Sequence, residues 1–293
     1  MDKPLSSWLG QAKQSIANGD WMTPKLYGVF GDPISHSLSP VMHNKAFAST
    51  NFAGIYLPFR IKSIRQAVAG MRALDMRGAS VTLPYKIKVM PHLDHIDEAA
   101  QKIGAVNTIH THKGRLCGYN SDAIGAVQAL KERTTLKDRQ VVIIGAGGAA
   151  RAIGFGLRSE GAVVTIINRS MDHGAKLAAD LKSRFVPLSD ALSLDCDILI
   201  NATSVGLSPH TMHTPVDKKI FHADMLVMDV IYTPRQTRFL QEAAAAGCET
   251  IEGLSMFIHQ GVYQFELWTD MKAPVAAMRQ AVVAALDGGH SDR

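Results

Sequence analysis

The chain has 293 residues, 46% of them apolar and 19% charged, an ordinary soluble globular make-up with room for one large domain or two smaller ones. The formal net charge is +5, but the basic residues are spread along the chain, which argues against a nucleic-acid partner, and no run approaches the roughly 20 apolar residues that cross a bilayer. Cys117, Cys196 and Cys248 lie far apart with no CxxC pair, and the N-terminus has no apolar signal core, so a reducing cytoplasm is expected.

Residues 1–24 read as a short extension ahead of the first strand. KLYGVF (25–30) predicts a strand, SPVMHNKAFAS (39–49) a helix, and AGIYLPF (53–59) a strand again. IRQAVAGMRAL (64–74) has helical apolar spacing, and RGASVTL (77–83) returns to strand. GAVNTIHTHKGRLCGYN (104–120) predicts two strands joined through Lys113-Gly114, a hairpin signal. After a helix near 122–133, QVVIIGAGGAARAIGFGLRSEGA (140–162) runs strand, glycine turn, helix, and VVTIINRS (163–170) is a buried strand with a polar end. CDILINATSVG (196–206) and MLVMDVIY (225–232) predict further strands. Past CETIEG (248–253), LSMFIHQGVYQFELW and APVAAMRQAVVAAL are helices without strands of their own, expected to pack back on the first domain or across the junction. The closing GGHSDR reads as a tail. Alternating strands and helices imply a two-domain α/β protein, 1–121 with 254–293 packed back on it and 122–253 as a dinucleotide-binding domain, and a cleft between the two is the expected site.

GAGGAA (145–150) is a GxGxxA fingerprint between a strand and an amphipathic helix. Gly145 permits the tight turn, Gly147 lets backbone approach a pyrophosphate, and Ala150 keeps helix and strand close. The helix N-terminus adds unpaired N–H groups and partial positive charge. The next strand ends at Asn168-Arg169-Ser170. An acidic residue there suits the ribose hydroxyl of NAD, whereas an arginine suits the 2′-phosphate of NADP.

GDPISHSLSPVMHN (31–44), SVTLPYK (80–86), GAVNTI (104–109), GYNSD (118–122), GAGGAA, NRS, NATSVG (201–206), DVIYTPRQT (229–237) and EGLSMFIHQG (252–261) occur in one order. Together they resemble the shikimate/quinate dehydrogenase family over residues 25 to 285. The resemblance implies an N-terminal α/β substrate domain, a Rossmann-like NADP-binding domain and C-terminal helices returning to the first. It implies hydride transfer between NADP(H) and the 3-position of shikimate, by a metal-free cytoplasmic monomer or homodimer. On that resemblance Lys86 and Asp122 are the catalytic pair. Ser37 and Ser39 hold the substrate carboxylate, Thr82, Asn107 and Gln260 contact ring hydroxyls, and Tyr232 closes over the substrate. The cofactor set is Gly145, Ala146, Gly147, Gly148, Ala149, Asn168, Arg169, Ser170, Thr203 and Gly253.

The chemistry agrees when read from residue types. Ketone reduction needs a hydride and a proton for the developing alkoxide, and a well-placed cation can replace a metal. Lysine offers both charge and proton, and a carboxylate neighbour holds an ammonium charged and oriented. Lys86 and Asp122 both fall at predicted strand ends, the rim where α/β sheets take ligands. Ser37 and Ser39, two apart, would share a face in an extended segment; an ST-turn or N-cap before the helix near Pro40 is the competing reading. Asn107 and Gln260 carry donor and acceptor together, as hydroxyls require.

The family often has Asn where this chain has Ser80, a position expected to support the strand end. NADP forms commonly carry a second basic residue where His173 stands, and Asp172 is adjacent, so NAD stays an alternative cofactor. His92/His95 and His110/His112 have ligand-like spacing but lack a completing carboxylate or cysteine. His43 is expected to face the core and His36 to shape the turn. Two further readings stand beside the first: a broader quinate/shikimate dehydrogenase using NAD, and a non-catalytic NADP-binding regulator, which the presence of Lys86 and Asp122 disfavours.

Overall fold

The computed structural model describes residues 24–288, so the N-terminal extension and the tail, except Pro24 and Gly288, lie outside the described residues. The chain forms two compact units. Of the described residues, 24–120 and 261–288 make the first, and 121–260 the second.

In the first unit β1 (Lys25–Gly31), α1 (Ser39–Ser49), β2 (Gly54–Arg60), α2 (Ile64–Ala73) and β3 (Gly78–Val81) follow in order. They continue into β4 (His95–Ile96), α3 (Glu98–Ile103), β5 (Thr108–His112) and β6 (Arg115–Tyr119). The sheet order is β2-β1-β3-β5-β6-β4, with β1 parallel to β2 and β3, and β5 antiparallel to β3 and β6. The β5–β6 hairpin turns where expected, because Lys113 (φ 49°) and Gly114 (φ 76°) both take the positive-φ backbone of a type I′ turn. Ser63 caps α2 by accepting from Gln66 N–H, and Asp97 caps α3, which ends on left-handed Gly104. The predicted strand over 77–83 stops at Val81. Thr82 lies just past it and Lys86 sits in the turn beyond, rather than at the strand end.

The second unit begins with α4 (Ser121–Lys131), β7 (Gln140–Ile144), α5 (Gly148–Ser159), β8 (Val163–Asn168), α6 (Met171–Asp180) and β9 (Arg184–Pro187). Then come β10 (Ile198–Asn201), β11 (Leu226–Asp229), α7 (Arg238–Ala245) and β12 (Glu249–Ile251). The six strands run β12-β11-β10-β7-β8-β9, all parallel. Counted from β7 this is the 3-2-1-4-5-6 order of a doubly wound dinucleotide fold. Along β7, Val141 and Ile143 pack with α4, α5 and Leu177 of α6, while Val142 and Ile144 pack with Phe239 and Leu240 of α7. Both faces are therefore covered, which is why this strand reads as an unbroken apolar run.

Two helices close the chain, α8 (Gly253–Thr269) and α9 (Val275–Gly288). From Gly261 on they belong to the first unit, where α9 packs on α1 and α8 delivers Phe265 and Trp268 to Tyr27, Phe47 and Tyr56. Each of these buried aromatics contributes roughly 1.5–3 kcal/mol of transfer free energy. The opposite sheet face buries Phe30, Ala79, Val81 and Ile109 under Ile64, Val68 and Met71.

Candidate active site

The glycine turn after β7 has the local geometry its sequence demands. Gly145 takes φ 112°, and a Cβ there would lie 2.9 Å from Thr203 Cγ2, so only glycine fits. Gly147 is the N-cap of α5. A Cβ built on Gly147 or Gly148 meets nothing within 4 Å. Protein packing does not require those two positions to be small, whereas a ligand brought against the backbone does. Beside them opens a cavity of about 280 Å³ lined by Ala146, Gly147, Asn168, Arg169, Ser170 and His173. The lining has two basic side chains, Arg169 and His173, and no carboxylate; Asp172 is exposed and does not line it. Arg169 is exposed, and among the described residues no acidic side chain pairs with it. Asn168 Nδ2 donates to Ser170 O at 2.8 Å, which shapes the turn that presents Arg169. This set fits a dinucleotide: backbone N–H groups for the pyrophosphate and a guanidinium for a 2′-phosphate. Ala149 lies in the first turn of α5, next to the cradle.

Thr203 belongs to a buried polar hub. Its N–H and hydroxyl both donate to Asn201 Oδ1, at 3.0 and 2.7 Å. Asn201 Nδ2 donates in turn to Asp229, which also accepts from Thr237 Oγ1 at 2.7 Å and from Ile231 N at 3.0 Å. Burial pushes the Asp229 carboxyl up to about 6, against the hydrogen bonds that hold its charge. The hub ties the loop after β10 to the loop after β11. Gly253 starts α8 so close to the segment just after β11 that a Cβ would stand 2.5 Å from Ile231 O and Val230 O. Its place in the motif therefore has a packing reason of its own.

Asp122 lies in the first turn of α4 instead of at a strand end, half-buried. Its neighbour Ser121 donates to Gln260 Oε1 at 3.3 Å, and Gln260 Nε2 donates to Phe257 O. Tyr232 is partly exposed and stacks on Phe257 with centroids 4.8 Å apart, and burial raises its phenol. Asp122, Gln260 and Tyr232 all belong to the second unit.

Lys86, Ser37, Ser39, Thr82 and Asn107 belong to the first unit. Val106 N donates to Lys86 O and Val81 N to Asn107 O, so the turn carrying Lys86 is stitched beside the segment carrying Asn107, just before β5. Thr82 N donates to Phe30 O, which continues the ladder one residue past β3. The segment with Ser37 and Ser39 is not extended. Leu38 has φ −89° and ψ −1°, and Ser39 is the first residue of α1. Ser37 Oγ accepts from Ser39 N–H at 3.4 Å, so the turn-forming reading of this pair is the one observed. His43 is fully buried, stacked on Tyr56 and bonded to Gln264, as its core assignment expects.

A family model described as the shikimate dehydrogenase substrate binding domain matches residues 29–109. Models described as shikimate / quinate 5-dehydrogenase and as the shikimate 5'-dehydrogenase C-terminal domain match 127–238 and 253–283. The NADP(+) shikimate dehydrogenase of Methanosarcina acetivorans is 40% identical over 277 residues, 89% of this chain and 99% of that one. The chain belongs to the shikimate dehydrogenase family. Among solved structures, a shikimate dehydrogenase in complex with NADP+ superposes with a TM-score of 0.86 at 38% identity, over 90% of this chain and 96% of the other. The Thermus thermophilus enzyme in complex with NADP(H) and shikimate superposes with 0.84 at 37% identity, over 89% of this chain and all of that one.

Several polar side chains matter here to which the sequence assigned no role: Tyr56, Thr108 and Gln264 in the first unit, Asn201, Asp229 and Thr237 in the second, with Thr108, Asn201, Asp229 and Thr237 standing inside the quoted motifs. Each is buried and hydrogen-bonded to or toward a candidate contact. Among the described residues no group of three or more His, Cys, Asp or Glu side chains is gathered as a metal-ligand set, and no helix is long and apolar enough to cross a membrane.

Proposed function

We propose that the protein is an NADP-dependent shikimate dehydrogenase that interconverts 3-dehydroshikimate and shikimate within aromatic amino-acid biosynthesis. The observation that carries this is the open glycine cradle beside Arg169 and His173 in a chain with this family's motifs throughout. NADPH, when bound, supplies the hydride for the 3-keto carbon. Lys86 gives the proton to the oxygen that becomes the alkoxide, and takes it back in the reverse direction. Asp122 is the second member of the catalytic pair, the carboxylate that serves the same proton transfer. Ser37 and Ser39 offer hydroxyls to the substrate carboxylate, with Ser39 set by the first turn of α1. Thr82, Asn107 and Gln260 select the ring hydroxyls, and Tyr232 excludes water from the second unit's side. Gly145 to Ala149, Asn168, Arg169, Ser170, Thr203 and Gly253 form the cofactor side, with the domain roles assigned accordingly. The three cysteines are all free, two of them buried, which supports a reducing, cytoplasmic setting.

Steady-state kinetics of the purified protein with shikimate and with quinate, each against NADP and NAD, test the reading. Shikimate with NADP should give the highest kcat/KM. Turnover of quinate with NAD at a higher kcat/KM would replace it with the broader enzyme, and no oxidation of either acid would overturn it.

A further inference from the structure

Asn107, assigned above to the substrate's ring hydroxyls, is also one end of a buried hydrogen-bond chain. Tyr56 donates to Ser80 Oγ at 2.7 Å. Ser80 Oγ donates to Gln264 Oε1 at 3.0 Å. His43 Nε2 lies 3.2 Å from the same oxygen, and because an amide oxygen only accepts, Nε2 carries the proton. Gln264 Nε2 donates to Thr108 Oγ1 at 2.8 Å, and Thr108 Oγ1 donates to Asn107 Oδ1 at 2.8 Å. Every member is buried, with Tyr56, Thr108 and Gln264 wholly so.

The chain has a sense. Gln264 must present an acceptor on one side and a donor on the other, given its two hydroxyl neighbours and His43. Its NH₂ group fills an acceptor site on Thr108, so the Thr108 proton goes to Asn107. With Oδ1 held by Thr108, Asn107 turns its own NH₂ group away from Thr108.

We propose that Gln264, acting through Thr108, is a positioning residue that fixes Asn107 as a hydrogen-bond donor to the substrate. This deepens the functional reading above and rests on it. It assigns the substrate group that meets Asn107 as an acceptor, so the proton of that hydroxyl must go to another side chain. Loss of the relay lets the Asn107 amide rotate and present oxygen to oxygen. Substrate binding should suffer more than the chemical step.

The test is a double-mutant cycle on shikimate oxidation, with thermal unfolding of each variant alongside. Gln264→Leu should raise KM for shikimate about tenfold, the scale of one misdirected buried hydrogen bond, with kcat and KM for NADP within about twofold of wild type. In an Asn107→Ala background the same substitution should add little. Thr108→Val should reproduce the KM effect and Thr108→Ser should restore it, a pair that carries the test if Gln264→Leu does not fold. A full additive effect in the Asn107→Ala background, or equal KM for Thr108→Val and Thr108→Ser, overturns the proposal while wild-type shikimate turnover leaves the functional reading intact. A wild-type enzyme that oxidises neither acid overturns the functional reading itself, and this proposal with it.

Discussion

Trp268 packs directly against the backbone of Gly78: a Cβ on Gly78 would stand 2.3 Å from Trp268 Nε1. The same nitrogen donates to Ile109 O at 3.0 Å, so the indole cannot easily slide aside. One residue thus docks the C-terminal half of α8 onto two adjacent strands of the first sheet. Gly78→Ala should destabilise the protein by about 1–3 kcal/mol through overpacking, read as a lower denaturant midpoint with an unchanged slope. An unchanged midpoint would show that the indole is not seated this way.

Lys86→Met should lower kcat by roughly a hundredfold or more, the scale of general acid–base help, while NADP still binds. Asp122→Asn should also lower kcat, and the effects of the two substitutions should not add, because each disables the same proton transfer. Near-wild-type turnover of folded Lys86→Met would remove lysine from the chemistry.

Gly147→Ala should separate folding from cofactor binding. The added methyl meets no protein atom, so stability should change by no more than about 1 kcal/mol, the ordinary difference at an N-cap. KM for NADP should nevertheless rise about tenfold or more. Arg169→Ala should reduce the preference for NADP over NAD by about ten- to a hundredfold, the worth of a charge-assisted hydrogen bond to phosphate. An unaltered NADP/NAD ratio in the kinetics would place the 2′-phosphate elsewhere.

Two buried groups give opposite dependences of stability on pH. Burial drives the His43 imidazole down to about 3, against its hydrogen bond to Gln264. Its Nδ1 has no hydrogen-bond partner among the described residues, so a proton placed there would be buried uncompensated. An unfolded histidine takes up a proton near 6.5, so stability from this group is complete above that pH and is lost as pH falls from 6.5 toward 3. Asp229 runs the other way. Its folded value near 6 exceeds the ordinary 3.8, so its contribution is most favourable below 3.8 and declines as pH rises to 6. Urea unfolding from pH 4 to 8 should show the difference between wild type and His43→Gln shrinking on the acid side. A constant difference would mean that His43 titrates in the folded protein much as it does in the unfolded chain.

Much of this was readable from residue pattern. The β7 run and the glycine turn predict their own geometry, because buried parallel strands are apolar throughout and Gly145 needs positive φ. Lys113-Gly114 predicts its hairpin for the same reason. Short elements escaped: β9 has four residues and ends on Pro187, too few for any period to register. The Ser37–Ser39 pattern admits both an extended and a turn-forming reading, and the turn wins because α1 starts a residue before Pro40 and Leu38 takes helical backbone. The relay through Gln264 was illegible, since its partners lie 156 to 221 residues away in the chain and meet only after α8 docks. Ser80, the departure from the family's usual Asn, turns out to be one of those partners.

The first unit is discontinuous, and its aromatic core needs Phe265 and Trp268. A ribosome releases those residues only after the whole of 121–260 has emerged. The segment synthesised first therefore waits, with Tyr27, Phe47 and Tyr56 still uncovered, while the later unit can already close its own doubly wound sheet. Birth order and order of completion are reversed in this chain, and the uncovered face of the first sheet is where a nascent-chain chaperone would find apolar surface longest.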